Sequence, residues 1–165
     1  MTASLMRLLA GFIAGCLAVL ICHQGMYWLL KTSGAVPLAG VPWNMNPAKD
    51  AYKEAFGVPT LFNQMFWGGL WGVLYAGISD WLPVRRNWLK GFLFGSLGTL
   101  LLGSWIAVSL IKGRPLFNGF LVDLKAIKLA SGFLLNGVAF GIGLGLIYGF
   151  MSGLLGHRRV PRSVK

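Results

Sequence analysis

The sequence predicts an all-α, polytopic membrane protein that crosses the bilayer four times, and three observations support this fold class. Of the 165 residues, 56% are hydrophobic and only 12% are charged. The uncharged stretches are long enough to cross a bilayer as helices. The two halves of the chain also resemble each other, which indicates that the four helices form two parallel two-helix repeats.

Four intervals without a charged residue account for the four predicted spans. Each has at least 21 residues, and they are 8–30, 55–79, 91–111 and 129–157. About 20 apolar residues suffice for a helix to cross a hydrocarbon core of about 30 Å. A water-soluble chain of this composition would expose too much apolar surface. We therefore expect one membrane domain over residues 1–165, which ends in a basic tail at 157–165.

The first interval resembles a signal peptide that ends at Cys16, but the apolar run continues through Cys22 and three more spans follow. An uncleaved first helix fits this pattern better. These two cysteines are the only ones in the chain. Inside a helix we expect them to be reduced packing residues, and we predict no metal site and no other cofactor.

Glycine is regularly spaced in the last interval, where it occupies Gly137, Gly141, Gly145, Gly149 and Gly153. In a soluble helix each would cost about 1 kcal/mol relative to alanine. In lipid, small residues at this spacing let a second helix backbone approach closely. We expect a helix-packing face here, with a flexible helix beside a pathway as the alternative. Shorter versions of the spacing occur earlier, at Gly11, Gly15, Gly91 and Gly95.

The chain aligns with itself in two places. "GFIAGCLAVL" (Gly11–Leu20) matches "GFLFGSLGTL" (Gly91–Leu100), and "GVLYAGISDWLPVRR" (Gly72–Arg86) matches "GLIYGFMSGLLGHRR" (Gly145–Arg159). The second alignment superposes Tyr75 on Tyr148. We predict a first repeat over about 5–86 and a second over about 87–159, related by a pseudo-twofold axis along the membrane normal.

The basic residues predict the orientation in the membrane. They divide eight against seven between the two faces, so their number decides nothing. One set lies in short segments next to helix ends, where basic residues determine topology: Arg7, Arg85, Arg86, Lys90, Arg158, Arg159, Arg162 and Lys165. The other set lies mostly in longer loops: Lys31, Lys49, Lys53, Lys112, Arg114, Lys125 and Lys128. We therefore place both termini in the cytoplasm.

The net charge of +11 is spread over both faces, so we predict no nucleic-acid partner. The cytoplasmic share suits anionic lipid headgroups. Asp80, at the end of the second span, is expected to form a local salt bridge with Arg85 or Arg86. Tryptophans lie mostly near predicted helix ends, as in an interfacial belt: Trp28, Trp43, Trp67, Trp81, Trp88 and Trp105.

The two loops on the other face differ. Residues 35–59 begin as proline-broken extended chain, and "NPAKDAYKEAFG" predicts a short helix after Asn46 that ends before Gly57. The second loop, over about 113–128, has an apolar centre too short to span. It is predicted either to lie in the interface or to be re-entrant.

Uncommon polar residues inside the spans fall in the half of the membrane away from the termini, and we predict that they form one polar cluster: His23, Gln24, Asn63, Gln64, Ser104 and Asn136. His23 is chemically the most capable, because an imidazole can relay a proton, bind a metal or hydrogen-bond between helices. The last role is the more common one. No nucleophile–base pair, HExxH, CxxC or phosphate loop occurs in the sequence, so we predict no enzyme.

Two segments resemble a known group of proteins. "CHQGMYWLL" (Cys22–Leu30) and "FNQMFWGGLWG" (Phe62–Gly72) are similar to small four-helix, uncharacterised bacterial inner-membrane proteins with His-Gln-Gly in helix 1 and Phe-Trp-Gly-Gly-Leu-Trp-Gly in helix 2. The similarity covers mainly the first half of the chain. It implies a bacterial inner membrane and no particular activity.

Two functions stay open. One is a homo-oligomeric permeation or transport module for a small solute or ion, which the repeat, the loops and the polar cluster favour. The other is an accessory or assembly subunit that docks on a larger membrane complex through its glycine-rich faces, which the absence of charge within the spans favours. A lipid-modifying enzyme is a weaker third possibility.

Overall fold

The computed structural model describes residues 3–36, 38, 40–47, 57–111, 113, 116–119 and 126–154. Over these residues the chain is helical and forms four main helices, numbered here in chain order. Helix α1 joins Ala3–Leu17, Ala18–His23 and Gln24–Thr32; α2 is Thr60–Ile78; α3 joins Asn87–Leu93, Phe94–Ala107 and Val108–Ile111; α4 joins Ala126–Gly132, Phe133–Ile142 and Gly143–Leu154.

The middle segments of α1, α3 and α4 are π-helical, and a short 3-10 turn at Leu116–Gly119 lies between α3 and α4. The π-helical segments contain three of the predicted polar residues, namely His23, Ser104 and Asn136. Such wider turns often occur at functional positions of helices.

Three of the helices are long and apolar enough to cross a membrane: Ser4–Thr32, Asn87–Ala107 and Leu129–Leu154. These findings confirm an all-helical protein of membrane type. Helix α2 has 19 residues and is not among the three. Helices α1 and α3 begin before the uncharged intervals and include Arg7 and Lys90 in their first two turns.

Helices α1 and α2 pack as an antiparallel pair along a glycine seam. A Cβ atom added to Gly11 would overlap the carbonyl oxygen of Gly72, and one added to Gly15 would overlap that of Gly68. The backbones are therefore in direct contact, which only glycine permits at these positions.

Helices α3 and α4 form a second antiparallel pair with the same kind of seam. A Cβ atom on Gly91 would lie 2.8 Å from the Cα atom of Gly145, and one on Gly95 would lie 2.7 Å from that of Gly141. Each of the two helix hairpins is thus closed by backbone contacts rather than by interlocking large side chains.

The two hairpins meet on two unlike sides. On one side α1 and α4 are close, since a Cβ atom on Gly143 would lie 2.5 Å from the Sγ atom of Cys22. On the other side large rings fill the space between α2 and α3, with Phe94 5.3 Å from Tyr75 and 6.0 Å from Trp71 between ring centroids. The helices therefore follow the order α2, α1, α4, α3 around the bundle.

The centre of the bundle is filled. Small residues of α1 face large residues of the other helices, and the most deeply buried members are Ala14, Ala18, Ala76, Leu144 and Tyr75, at 0–1% exposure. We call the end of the bundle that holds residues 33–47 the loop end, and the end that holds the N-terminal turn of α1 and residues 79–87 the terminal end.

Candidate functional site

Two of the predicted polar residues form a hydrogen bond between helices at the loop end. The Nε2 atom of Gln24 in α1 donates to the Oε1 atom of Gln64 in α2 over 2.7 Å. The Gln24 side chain is buried, at 3% exposure, and its Oε1 atom accepts from the backbone N–H of Trp43 over 2.8 Å. Both functional groups of this amide are thus satisfied, as a buried amide requires.

Residues 40–47 lie across this amide pair and connect the two helices; we call them the strap. Trp43 is fixed to α1 twice, because its indole N–H also donates to the Leu20 carbonyl over 2.9 Å. Its φ of +48° is unusual for a residue other than glycine, and these two hydrogen bonds hold it there. At the other end, the Asn46 carbonyl accepts from both the backbone and the hydroxyl of Thr60.

The loop prediction expected proline-broken extended chain here, whereas the strap is irregular, with a turn at Pro42 and Trp43 and a left-handed backbone at Trp43. It is also held to α1 where Tyr27 and Lys31 bind the backbone of Gly40. The predicted helix after Asn46 and most of the second loop lie outside the described residues. Gly57, the expected residue beyond that helix, has a φ of +61°.

The other four predicted polar residues do not join the amide pair through hydrogen bonds. Asn136 donates to the Gly132 carbonyl over 3.2 Å and Ser104 to the Thr99 carbonyl over 3.0 Å, each within its own helix. Asn63 is partly buried in α2. The Nδ1 atom of His23 is buried and has no hydrogen-bond partner among the described residues. One functional cluster of all six therefore stays a prediction.

The most connected polar group lies at the terminal end and centres on Arg7. The sequence pattern indicated this residue for orientation in the membrane but not for a functional site. Its guanidinium lies 2.6 Å from a carboxylate oxygen of Asp80 and donates to the hydroxyls of Tyr148, over 3.0 Å, and Ser79, over 3.2 Å. The amine of Lys90 binds the Ser79 carbonyl. Side chains of α1, α3 and α4 thus meet the first two residues after α2, where the cations Arg7 and Lys90 bind the hydroxyl and the carbonyl of Ser79.

Asp80 has a partner that the sequence did not indicate. The sequence predicted a local salt bridge with Arg85 or Arg86, but the salt bridge shown for Asp80 is to Arg7, on another helix. The partner is non-local because α1 and α2 are antiparallel, which brings the start of one next to the end of the other. Tyr75 and Tyr148, which the self-alignment superposes, were the available signal for this region, since their rings are in edge contact at 5.4 Å.

Eight of the nine glycines predicted to pack helices have close neighbours in the chain. Gly11, Gly15, Gly91, Gly95, Gly141 and Gly145 meet backbone, as described above. Gly149 faces the Asn87 side chain, and Gly137 lies next to the Ser96 hydroxyl, with 2.6 Å to an added Cβ atom. Gly153 has nothing within 4 Å of such an atom.

The outer face of α2 carries a row of large exposed side chains. Phe62, Phe66 and Trp67 are each about half exposed, at 51–52%. The rings of Phe66 and Trp67 are in edge contact, with 6.0 Å between centroids. Trp67 is not near a helix end as the belt expectation required. It lies two residues from Gly69, the middle of the 19-residue helix, which is about 3 Å along the axis.

Comparison of the chain with protein-family models, with curated proteins and with solved structures finds no match.

Proposed function

We propose that this protein is an accessory or assembly subunit of the bacterial inner membrane, which docks on a partner membrane protein through the outer face of α2. The observation that carries the proposal is the position of Trp67. Of the two functions that the sequence leaves open, this residue and the filled core favour docking.

Trp67 is half exposed near the middle of α2, and its indole N–H has no acceptor among the described residues. Tryptophan in membrane proteins favours the interface, where the N–H meets water or headgroups. In the hydrocarbon core an unsatisfied N–H is costly. A partner helix that offers a carbonyl or hydroxyl acceptor would remove this cost and cover the rings of Phe62 and Phe66.

The packing of the chain supports a docking role in a second way. The core holds Ala14, Ala18, Tyr75 and Leu144 at 0–1% exposure, so side chains fill the space between the helices of a single chain. Eight of the nine predicted packing glycines serve contacts within the chain. The glycine-rich faces are therefore already used, and the docking surface belongs to the aromatic residues of α2 instead.

The proposal includes a membrane arrangement with four spans. Helix α2 has 19 residues, about 28 Å of helix, and it is paired along its length with α1. The contacts Gly11–Gly72 and Gly15–Gly68 correspond in the self-alignment to Gly91–Gly145 and Gly95–Gly141. Tyr75 and Tyr148, which also correspond, touch each other, as residues next to a twofold axis do. These contacts support a duplicated two-helix unit, and the distribution of basic residues supports cytoplasmic termini.

Photocrosslinking in the native membrane tests the docking proposal. A benzophenone amino acid replaces Trp67 in the full-length chain, and the matched control replaces Leu146, which is similarly exposed, at 53%, on α4. We expect a discrete crosslinked product with a different membrane protein from position 67 and only lipid adducts from position 146.

Two outcomes would overturn this proposal. Equal patterns of products from positions 67 and 146 would mean that the face of α2 meets lipid. A product composed only of two copies of this chain would replace the accessory role with a homo-oligomer.

A permeation module for a small solute is the second candidate, because of the loop-end polar residues. The Gln24–Gln64 pair offers uncharged donors and acceptors beneath the strap, and His23 keeps a buried nitrogen free of partners among the described residues. In this case the pathway would open when the strap and the amide pair separate, or would form between copies of the chain.

Proteoliposomes distinguish the two candidates, with glycerol uptake after osmotic shock and potassium release as probes. A permeation module should give flux that falls in His23→Ala while the helix content of the variant is unchanged. An accessory subunit should give no flux above that of empty vesicles, and His23→Ala should change only its thermal stability.

A further inference from the structure

An apolar groove runs along the outside of the α3–α4 hairpin, away from the α2 face. Its volume is about 430 Å³, within the range of small-molecule sites. Its wall is formed by Leu97, Leu100, Leu101 and Trp105 of α3 and by Leu129 and Phe133 of α4. Both helices are among the three that are long and apolar enough to span a membrane.

The groove has a closed end and an open side. Trp105 lies over Gly132, with 3.6 Å from its ring to an added Cβ atom, and its ring contacts that of Phe117 in the 3-10 turn. Together they close the groove at the loop end. Leu97 and Phe133 form the rim towards mid-membrane and are 57% and 39% exposed, whereas Leu100 at the floor is 3% exposed.

We propose that this groove binds one acyl chain of a membrane phospholipid. The nine residues from Leu97 to Trp105 would cover about 12 Å at the rise of an α-helix and less in their π-helical conformation. The wall is therefore somewhat shorter than the depth of one bilayer leaflet, about 15 Å. Trp105 then lies at the headgroup level, where an indole is favourable. The bound chain runs from that level to the bilayer centre.

The chemistry of the wall selects hydrocarbon over a polar ligand. Ser96 also lines the groove, but its hydroxyl is buried against α4 next to Gly137. The hydroxyl is therefore turned away from a bound molecule. The accessible part of the groove wall is therefore apolar, and it matches a flexible alkyl chain.

The shape of the wall also selects an alkyl chain over a partner helix. Close helix docking in membranes needs small residues at the contact, and the α3 side of this groove carries Leu97, Leu100, Leu101 and Trp105 instead. The rim residues Leu97 and Phe133 hold a second backbone away, but a single chain fits between them.

Lipid retention tests the proposal with a matched pair of variants. Ala130 lines the groove and is exposed, and Ala107 is exposed on α3 outside it. Ala130→Phe should block the groove, and Ala107→Phe is the same change without that effect. The full-length protein is reconstituted in phosphatidylethanolamine–phosphatidylglycerol vesicles, re-extracted in mild detergent and weighed by native mass spectrometry.

We expect one phospholipid per chain on the wild type and on Ala107→Phe, and at least a fivefold lower occupancy on Ala130→Phe. Ala130→Leu, a smaller obstruction, should fall between them. Equal retention by all variants with unchanged helix content would overturn the proposal, as would equal loss from both phenylalanine variants. If Ala130→Phe instead converts an oligomer to a monomer, the groove is a protein interface and the proposal is wrong.

Discussion

The guanidinium of Arg7, near the start of α1, lies 2.6 Å from the carboxylate of Asp80, just beyond the end of α2. The carboxylate side chain is 66% exposed and the guanidinium 28%. An ion pair with one partner exposed to water contributes only about 0.2–1 kcal/mol to the free energy of unfolding. The hydrogen bonds of Arg7 to Tyr148 and Ser79 are therefore expected to contribute more than the salt bridge.

The first prediction separates these contributions. Arg7→Leu should lower the free energy of unfolding by about 1–3 kcal/mol, since it removes two hydrogen bonds from a charged donor. Asp80→Asn should cost less than about 1 kcal/mol. Thermal melting in detergent micelles measures both. If Asp80→Asn were as harmful as Arg7→Leu, the exposed carboxylate would dominate the network, contrary to this expectation.

The second prediction concerns the glycine seam of the second hairpin. Gly145→Leu should destabilise the protein by about 3 kcal/mol or more, because the added side chain must displace the backbone of α3. Leu146→Ala, next to it on the exposed face, should cost much less. The yield of monodisperse protein after extraction measures both effects. Similar yields would show that the seam does not hold α3 and α4 together.

The third prediction compares two amide side chains at the loop end. Gln64→Leu breaks the hydrogen bond to Gln24 and should cost about 1–2 kcal/mol. Asn136→Leu is the matched control, because Asn136 binds only a carbonyl of its own helix, and its cost should be below about 0.5 kcal/mol. Melting temperatures in micelles provide the comparison, and a larger effect at Asn136 would contradict it.

The fourth prediction concerns orientation in the inner membrane. Ala35 is exposed at the loop end and Pro83 is exposed at the terminal end. In a variant without Cys16 and Cys22, a cysteine at position 35 should react with an impermeant maleimide in intact spheroplasts. A cysteine at position 83 should react only after lysis. The reverse pattern would invert the proposed topology.

The parts of the fold that the sequence predicted depend on local spacing. The glycines at Gly11 and Gly15, and those from Gly137 to Gly149, lie four residues apart, and a helix places such residues on one face whatever the tertiary context. Charge-free intervals located the helices, although α2 starts later than its interval, at Thr60, and the starts of α1 and α3 were missed by the few residues that include Arg7 and Lys90. Because the predicted spans were bounded by charged residues, neither Arg7 nor Lys90 was expected inside a helix.

The parts that the sequence missed depend on which residues become neighbours. The Arg7–Asp80 pair is separated by more than seventy residues, and nothing at either position indicates the other. Trp67 was grouped with the interfacial tryptophans by residue type, although it lies at the centre of the uncharged interval 55–79 and near the centre of α2. The hydrogen bonds of Trp43 require the left-handed conformation that only the folded strap provides.

The glycine seam between α1 and α2 has a consequence for biogenesis. Its contacts, from Gly11 to Gly72, use only the first half of the chain, so this hairpin can close while α3 is still being synthesised. The ring contacts of Phe94 with Trp71 and Tyr75 can form only after α3 enters the bilayer. Until then the indole and phenol of the first hairpin face lipid or the insertion machinery, and that interval is when a partner would find them uncovered.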